Sequence, residues 1–280
     1  MTQPNLLWLR RDLRLHDQAA LVAACAAGPV IPVYVLDDDT PRHRRMGGAS
    51  RWWLHHSLAS LDAALRERGS RLILRRGKSE DALAALAGEC GAAEVHALHH
   101  YEPWWRNAER GVAKRLALHL HHGNYLAPPG TVLTGAGTPF KIYTPFWRAL
   151  SEQMPPAPPL PAPDRIPAPD NWPASDRLED WQLLPTSPDW AEGFRAEWTP
   201  GEAGARDRLD AFIGRAARYE QRRNFPAQEG TSRLSAHLHF GEISPRRLWQ
   251  TITDRMKDAR RTPKPAWEVY RKELVWREFA

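Results

Sequence analysis

The sequence is poor in cysteine. Its two, Cys25 and Cys90, lie far apart with no CxxC spacing, which argues against a disulfide framework or a thiolate zinc site and fits a reducing, cytoplasmic setting. Long apolar runs are missing too. The opening MTQPNLLWLRRDLRLHD meets arginines after a few apolar residues, so it reads as neither a secretory signal nor a membrane span. Glycine is absent where a dinucleotide fold needs it most. The first strand-to-helix turn runs Arg10-Arg11-Asp12-Leu13-Arg14-Leu15-His16-Asp17, whereas a Rossmann fingerprint needs glycines there so that the backbone can approach a pyrophosphate. Gly47-Gly48 lacks the Lys and Ser/Thr of a P-loop and simply begins a helix. Histidines are plentiful, among them His55-His56, His99-His100 and the run His119, His121, His122. No carboxylate or thiol stands at ligand spacing from them, so they read as surface or helix-face residues and no metal centre is expected.

Acidic charge is in deficit: 39 Lys+Arg against 33 Asp+Glu leave +6, which suits a polyanionic partner or an ordinary solvated basic surface. An apolar fraction of 42% with 13 Trp is ample for a packed core, so global disorder is excluded. The first half alternates short apolar runs with helical patterns. Strands are expected at 6–9, 30–36, 72–74 and 95–98, and helices at 15–27, 51–68, 80–89 and 107–121. In the second helix Trp53, Leu54, Leu58, Leu61 and Leu65 fall on one stripe. Such alternation predicts a parallel sheet covered by helices on both faces. The stretch 154–173 carries nine prolines, cannot supply ladder donors, and reads as an extended connector anchored by Trp172, Trp181 and Trp190. Beyond Gly201 the pattern is helical only, with helices expected at 203–223, 245–256 and 266–280. The expected organisation is an α/β domain over 1–130, a Pro-rich linker over 131–200 and an all-α domain from 201 to 280. The last helix, WEVYRKELVWREFA, lacks a stop signal, so the helical domain reads as truncated.

The most informative segment is YEQRRNFPAQEGTSRLS, from Tyr219 to Ser235. Gly230 allows a turn, Thr231 and Ser232 are good cap residues for a new helix, and Arg233 would stand in its first turn. Helix starts present free N–H groups that suit phosphate, though the same residues serve equally as a plain cap and a solvated Arg. In the final helix Glu273 and Trp276 are three apart and share a face.

With WLRRDLRLHDQAAL before it and KELVWREFA after it, and with GTPFKIYTPFWRAL and LSAHLHFGEISPRRLW between, this segment resembles the photolyase/cryptochrome family over nearly the whole chain. The Pro-rich stretch matches least. The match is most like a class I cyclobutane pyrimidine dimer photolyase. The resemblance implies FAD held by the helical domain at Tyr219, Thr231, Ser232, Arg233, Leu234 and Ser235. It implies a lesion pocket at Glu273 and Trp276, the carboxylate bonding the pyrimidine edge and the indole stacking on the dimer, with Arg223 and Arg277 approaching damaged DNA. Tyr270 matches a cofactor-side position that is usually Trp or Phe. The implied activity is that of a deoxyribodipyrimidine photo-lyase: light-dependent repair of a flipped-out dimer by electron transfer from reduced FAD, by a monomeric cytoplasmic enzyme. A cryptochrome photoreceptor is the competing reading, as is a (6-4) photolyase, which typically carries Gln where Glu273 stands. The resemblance also implies a place for an antenna chromophore, methenyltetrahydrofolate before 8-hydroxydeazaflavin, at Tyr101-Glu102-Pro103-Trp104-Trp105-Arg106-Asn107-Ala108-Glu109, at the sheet's carboxyl edge. Trp104 and Trp105 replace the Asn-Glu pair of folate-binding relatives and could equally be packing residues.

Overall fold

The computed structural model describes residues 3–257 and 264–280. Five short strands, β1 (Asn5–Leu9), β2 (Val30–Leu36), β3 (Ile73–Arg76), β4 (Glu94–Leu98) and β5 (Ala117–His121), form one sheet in the order β3-β2-β1-β4-β5. All neighbours are parallel. Both faces are buried, which is why β1 and β2 read as unbroken apolar runs. Leu7, Leu9, Tyr34 and Leu36 face α1 (Ala19–Ala27) and α2 (Gly48–Arg66). Leu6, Trp8, Ile31 and Val33 face α3 (Ser79–Cys90) and α4 (Pro103–Ala113). Pro32 survives in β2 because it pairs with Leu7 of β1 before β3 begins to pair at Val33.

Two helices of the first half depart from expectation. The segment 107–121 is not one helix: α4 ends at Ala113 and β5 follows. Leu118 and Leu120 alternate with His119 and His121 at the two-residue period of a strand, and β5 is an edge that needs few buried residues. In β5 the His121 ring lies over His96 of β4, with His121 Nε2 3.1 Å from His96 Nδ1. Among the described residues no three His, Cys, Asp or Glu side chains are placed to hold a metal ion. The helix expected at 15–27 starts only at Ala19, because Asp17 adopts a left-handed conformation and the Gln18 side chain caps Ala20 N–H at 3.2 Å.

The proline-rich stretch runs over the α/β layer. Val30 N–H donates to Pro167 O, Ile166 N–H donates to Arg68 O, and Ile166 is buried. Trp172 lies under the Arg71 guanidinium and Trp181 packs on Tyr34, while Trp190 is exposed. Within the 131–200 stretch α5 (Tyr143–Ser151) joins the second core through Phe146 and Leu150, and α6 (Glu192–Glu197) follows the connector. The second core is built by α7 (Glu202–Ile213), the short α8 (Tyr219–Arg222), α9 (Ser235–Phe240), α10 (Pro245–Lys257) and α11 (Lys264–Phe279). The helix expected at 203–223 breaks after Ile213, at Gly214, before α8 resumes the chain. No helix among the described residues is long and apolar enough to cross a membrane.

The turn at 10–17 joins the two layers, and its crowded side chains are structural. Arg10 pairs with Glu109 at 2.7 Å and Asp12 accepts from Gln18 Nε2 at 2.8 Å. The fully buried Arg14 donates to the carbonyls of Asp17, Gly123 and Gly241 and to Asn124 Oδ1, so one guanidinium ties the sheet to the helical body. Gly241 sits at φ +67°, and a Cβ there would lie 2.1 Å from the Arg11 carbonyl oxygen. The close approach of the two halves requires glycine at this position.

Candidate cofactor and lesion cavity

Strand order reverses between β1 and β4, and the loops leaving their carboxyl ends open a crevice there, as in other open parallel sheets. Arg11 stands on the first loop, His100 and Glu102 on the second. Across from them the helical body contributes the 231–235 segment, α9 and α11. Together they enclose a cavity of about 630 Å³.

The structure brings most residues singled out by sequence to this one cavity: Tyr219, Thr231, Ser232, Arg233, Leu234, Ser235, Tyr270, Glu273 and Arg277 all line it. Tyr219 and Tyr270 meet edge to face with centroids 5.1 Å apart, forming an aromatic floor. Burial pushes the Tyr270 phenol up, opposed by a hydrogen bond to the Ser232 hydroxyl. Burial likewise pushes Tyr219 up.

Thr231 and Ser232 do not cap a helix, however. Helix α9 begins at Ser235, because Arg233 holds a left-handed conformation that the helix cannot continue. Arg233 is also not a free first-turn cation. Its guanidinium pairs with Glu197 at 2.6 Å and lies 4.8 Å over the Trp198 ring. The segment therefore offers hydroxyls and backbone along a bend.

Glu273 faces the cavity and pairs with Arg223, whose guanidinium also lies 5.6 Å from the Tyr219 ring centre. The pair raises the Arg223 guanidinium further. Trp276 is separated from Glu273: its indole does not line the cavity but stands at 45% exposure, stacked on Tyr143. Arg277 donates to Asn124 O at 2.9 Å and lies over Tyr125.

The α/β side of the cavity is what sequence reasoning missed. Arg11 pairs with Glu102 at 3.1 Å. Burial, with Arg10 and Arg11 nearby, keeps the His100 imidazole neutral, and burial near Arg11 and Arg277 lowers His239 to about 4. The signal that could have found this wall is topological: once β1 and β4 are neighbours, their exit loops must frame the crevice. Behind it, Glu278 accepts from Leu126 N–H at 2.8 Å, and burial pushes its carboxyl up to about 7.

The segment 101–105 splits in two. Trp105 is a packing residue, buried edge-on against Trp8. Trp104 lines a separate cavity of about 640 Å³ with Arg42, Arg44, Lys78 and Asn107.

A parallel α/β layer meeting a helical body across a cavity with aromatic, hydroxyl, basic and acidic walls defines a two-layer protein with its candidate site between the layers. The DNA photolyase family model matches residues 5–164, and the chain belongs to that family. It is 42% identical to a deoxyribodipyrimidine photo-lyase of Agrobacterium fabrum, covering 99% of this chain and 58% of that protein. A class III photolyase structure from Agrobacterium tumefaciens superposes with a TM-score of 0.92 at 42% identity, over 100% of this chain and 58% of that one. Cryptochrome-1 of Arabidopsis thaliana is 35% identical over 89% of this chain and 37% of its own length. The chain thus spans 58% of the photolyases just described. The fold is the α/β photolyase domain followed by helical structure, as the resemblance implies; the subtype name carried by the solved relative is class III where the sequence match suggests class I.

Proposed function

We propose that this chain belongs to a light-dependent DNA repair enzyme, a deoxyribodipyrimidine photo-lyase that binds FAD and a flipped-out cyclobutane pyrimidine dimer in the cavity between its layers. The observation that carries the reading is the convergence of Tyr219, Ser232, Tyr270 and Glu273 on one cavity with Arg223 and Arg277 at its margin. Its volume, about 630 Å³, lies within the range of about 300–1,000 Å³ usual for cofactor sites, and its hydroxyl and aromatic lining suits phosphates and a flat ring system. Tyr219 and Tyr270 would bound the flavin, while Thr231, Ser232, Arg233, Leu234 and Ser235 would line its phosphates. Reduced flavin held by these residues would supply light-driven one-electron chemistry to the dimer, with no net oxidation overall.

The chain's own part is binding and orientation. Glu273 accepts hydrogen bonds from the pyrimidine edge, which a carboxylate does better than a neutral group. Trp276 offers a stacking face, and Arg223 and Arg277 contact backbone phosphate. A dimer is cheaper to extrude than an intact pair, so selectivity comes partly from the DNA. Glu273 favours the cyclobutane dimer over the (6-4) lesion. The cavity beside Trp104, with Arg42, Arg44 and Lys78, would take an antenna chromophore, methenyltetrahydrofolate before 8-hydroxydeazaflavin. A monomer acting in the cytoplasm completes the reading.

The 35% identity to cryptochrome-1 supports a second reading, a blue-light photoreceptor. Retention of dimer-containing duplex over undamaged duplex, measured in the dark with FAD added, separates the two. Preference for the dimer is expected; equal binding of both duplexes would favour the photoreceptor.

A further inference from the structure

An indole at 45% exposure ordinarily samples several rotamers, but Trp276 is held. Tyr143 of α5 lies on one face of it, ring centroids 3.8 Å apart and planes within 8°. Tyr143 is itself fixed: its hydroxyl donates to the Lys272 carbonyl at 3.1 Å, one helical turn before Trp276 on α11. Phe279 closes edge-on against both rings, 5.9 Å from Tyr143 and 5.8 Å from Trp276. Helix α5 cannot drift, because Phe146 and Leu150 are buried in the helical core. Covering one face and gripping one edge leaves Trp276 with a single open face.

We propose that Tyr143 is a positioning residue for Trp276: it makes the indole the inner layer of a two-ring platform whose open face receives a nucleobase. The proposal rests on the reading that Trp276 meets the lesion. A flat ring adds contact area at little conformational cost only when its rotamer is already fixed. Tyr143 supplies that fixation through its ring, and the Lys272 bond holds the ring in turn.

A double-mutant cycle tests it. Dissociation constants for a duplex carrying one thymine dimer, and for the same duplex undamaged, are measured in the dark with FAD added. Tyr143→Ala should weaken dimer binding about three- to tenfold, the scale of a lost aromatic pair, and leave undamaged binding unchanged. Tyr143→Phe keeps the ring and should restore most of the affinity. In a Trp276→Ala background Tyr143→Ala should have no further effect. Should Tyr143→Ala unfold, Tyr143→Leu, which keeps bulk without a ring, takes its place. Wild-type affinity in Tyr143→Ala alongside a weakened Trp276→Ala would overturn the positioning role, as would additive losses or a Tyr143→Phe as weak as Tyr143→Ala. If Trp276→Ala itself bound the dimer like wild type, the failure would lie in the assignment of Trp276, and the positioning role would fall with it.

Discussion

Glu273 lines the cavity while Trp276, three residues on, stands outside its lining and exposed, so the two answer to different measurements. Trp276→Ala should lower affinity for dimer-containing DNA by about 1–3 kcal/mol, the usual loss of one base–aromatic stack. Glu273→Ala should lower repair yield per photon more than it changes affinity for undamaged DNA, since its contact is to the lesion and not to phosphate. Quantum yield and binding isotherms read the two separately. A third residue-scale prediction concerns Glu278. Its folded pKa, about 7, lies above the ordinary 4.5 because the carboxylate is buried, which disfavours its charged form. Below about pH 4.5 both folded and unfolded chains are protonated there and nothing is lost. As pH rises towards 7 the unfolded chain releases the proton first, so stability falls, and above 7 the full penalty remains. Glu278→Gln keeps an acceptor for Leu126 N–H and should therefore be stabilising by up to about 3 kcal/mol at pH 8, and nearly neutral at pH 4. Denaturant midpoints at the two pH values check this; equal differences at both would reject it.

At the scale of elements, the glycines closing α3 and α9 separate conformation from contact. Gly91 and Gly241 are both left-handed helix ends, at φ +68° and +67°. A Cβ on Gly91 meets nothing, so Gly91→Ala should cost about 1–2 kcal/mol, the left-handed strain alone. A Cβ on Gly241 would press on the Arg11 backbone, so Gly241→Ala should cost clearly more, by roughly 1–3 kcal/mol of overpacking, when unfolding midpoints are compared. The elements also show how far the pattern could be read. The buried strands and the stripe of α2 were legible because burial on both faces, or on one stripe, leaves a periodic trace. β5 was not, since an edge strand of alternating Leu and His also satisfies a helical period over so few residues. The late start of α9 was hidden because Thr231 and Ser232 are good caps, and nothing local shows that Arg233 will bend left-handed toward Glu197 and Trp198.

For the whole molecule, the helical wall of the cavity was legible as motif, while its α/β wall depended on strand order, which no single segment encodes. Arg11, His100 and Glu102 come together only because β1 and β4 are neighbours and because Arg14 and Gly241 clamp the two layers at that crevice. The arginines at the margin imply binding that weakens with salt, since phosphate contacts release counterions. Lesion preference, by contrast, should persist as salt rises. The central claim, that one cavity holds flavin and dimer together, is met most directly by irradiation. An oligonucleotide carrying one thymine dimer is mixed with the flavin-loaded enzyme to which this chain is proposed to belong, and ultraviolet base absorbance is followed in blue light and in the dark. The account predicts that absorbance returns in light only, and that Glu273→Ala slows the return. Flavin bound in the cavity with no light-dependent return would contradict it.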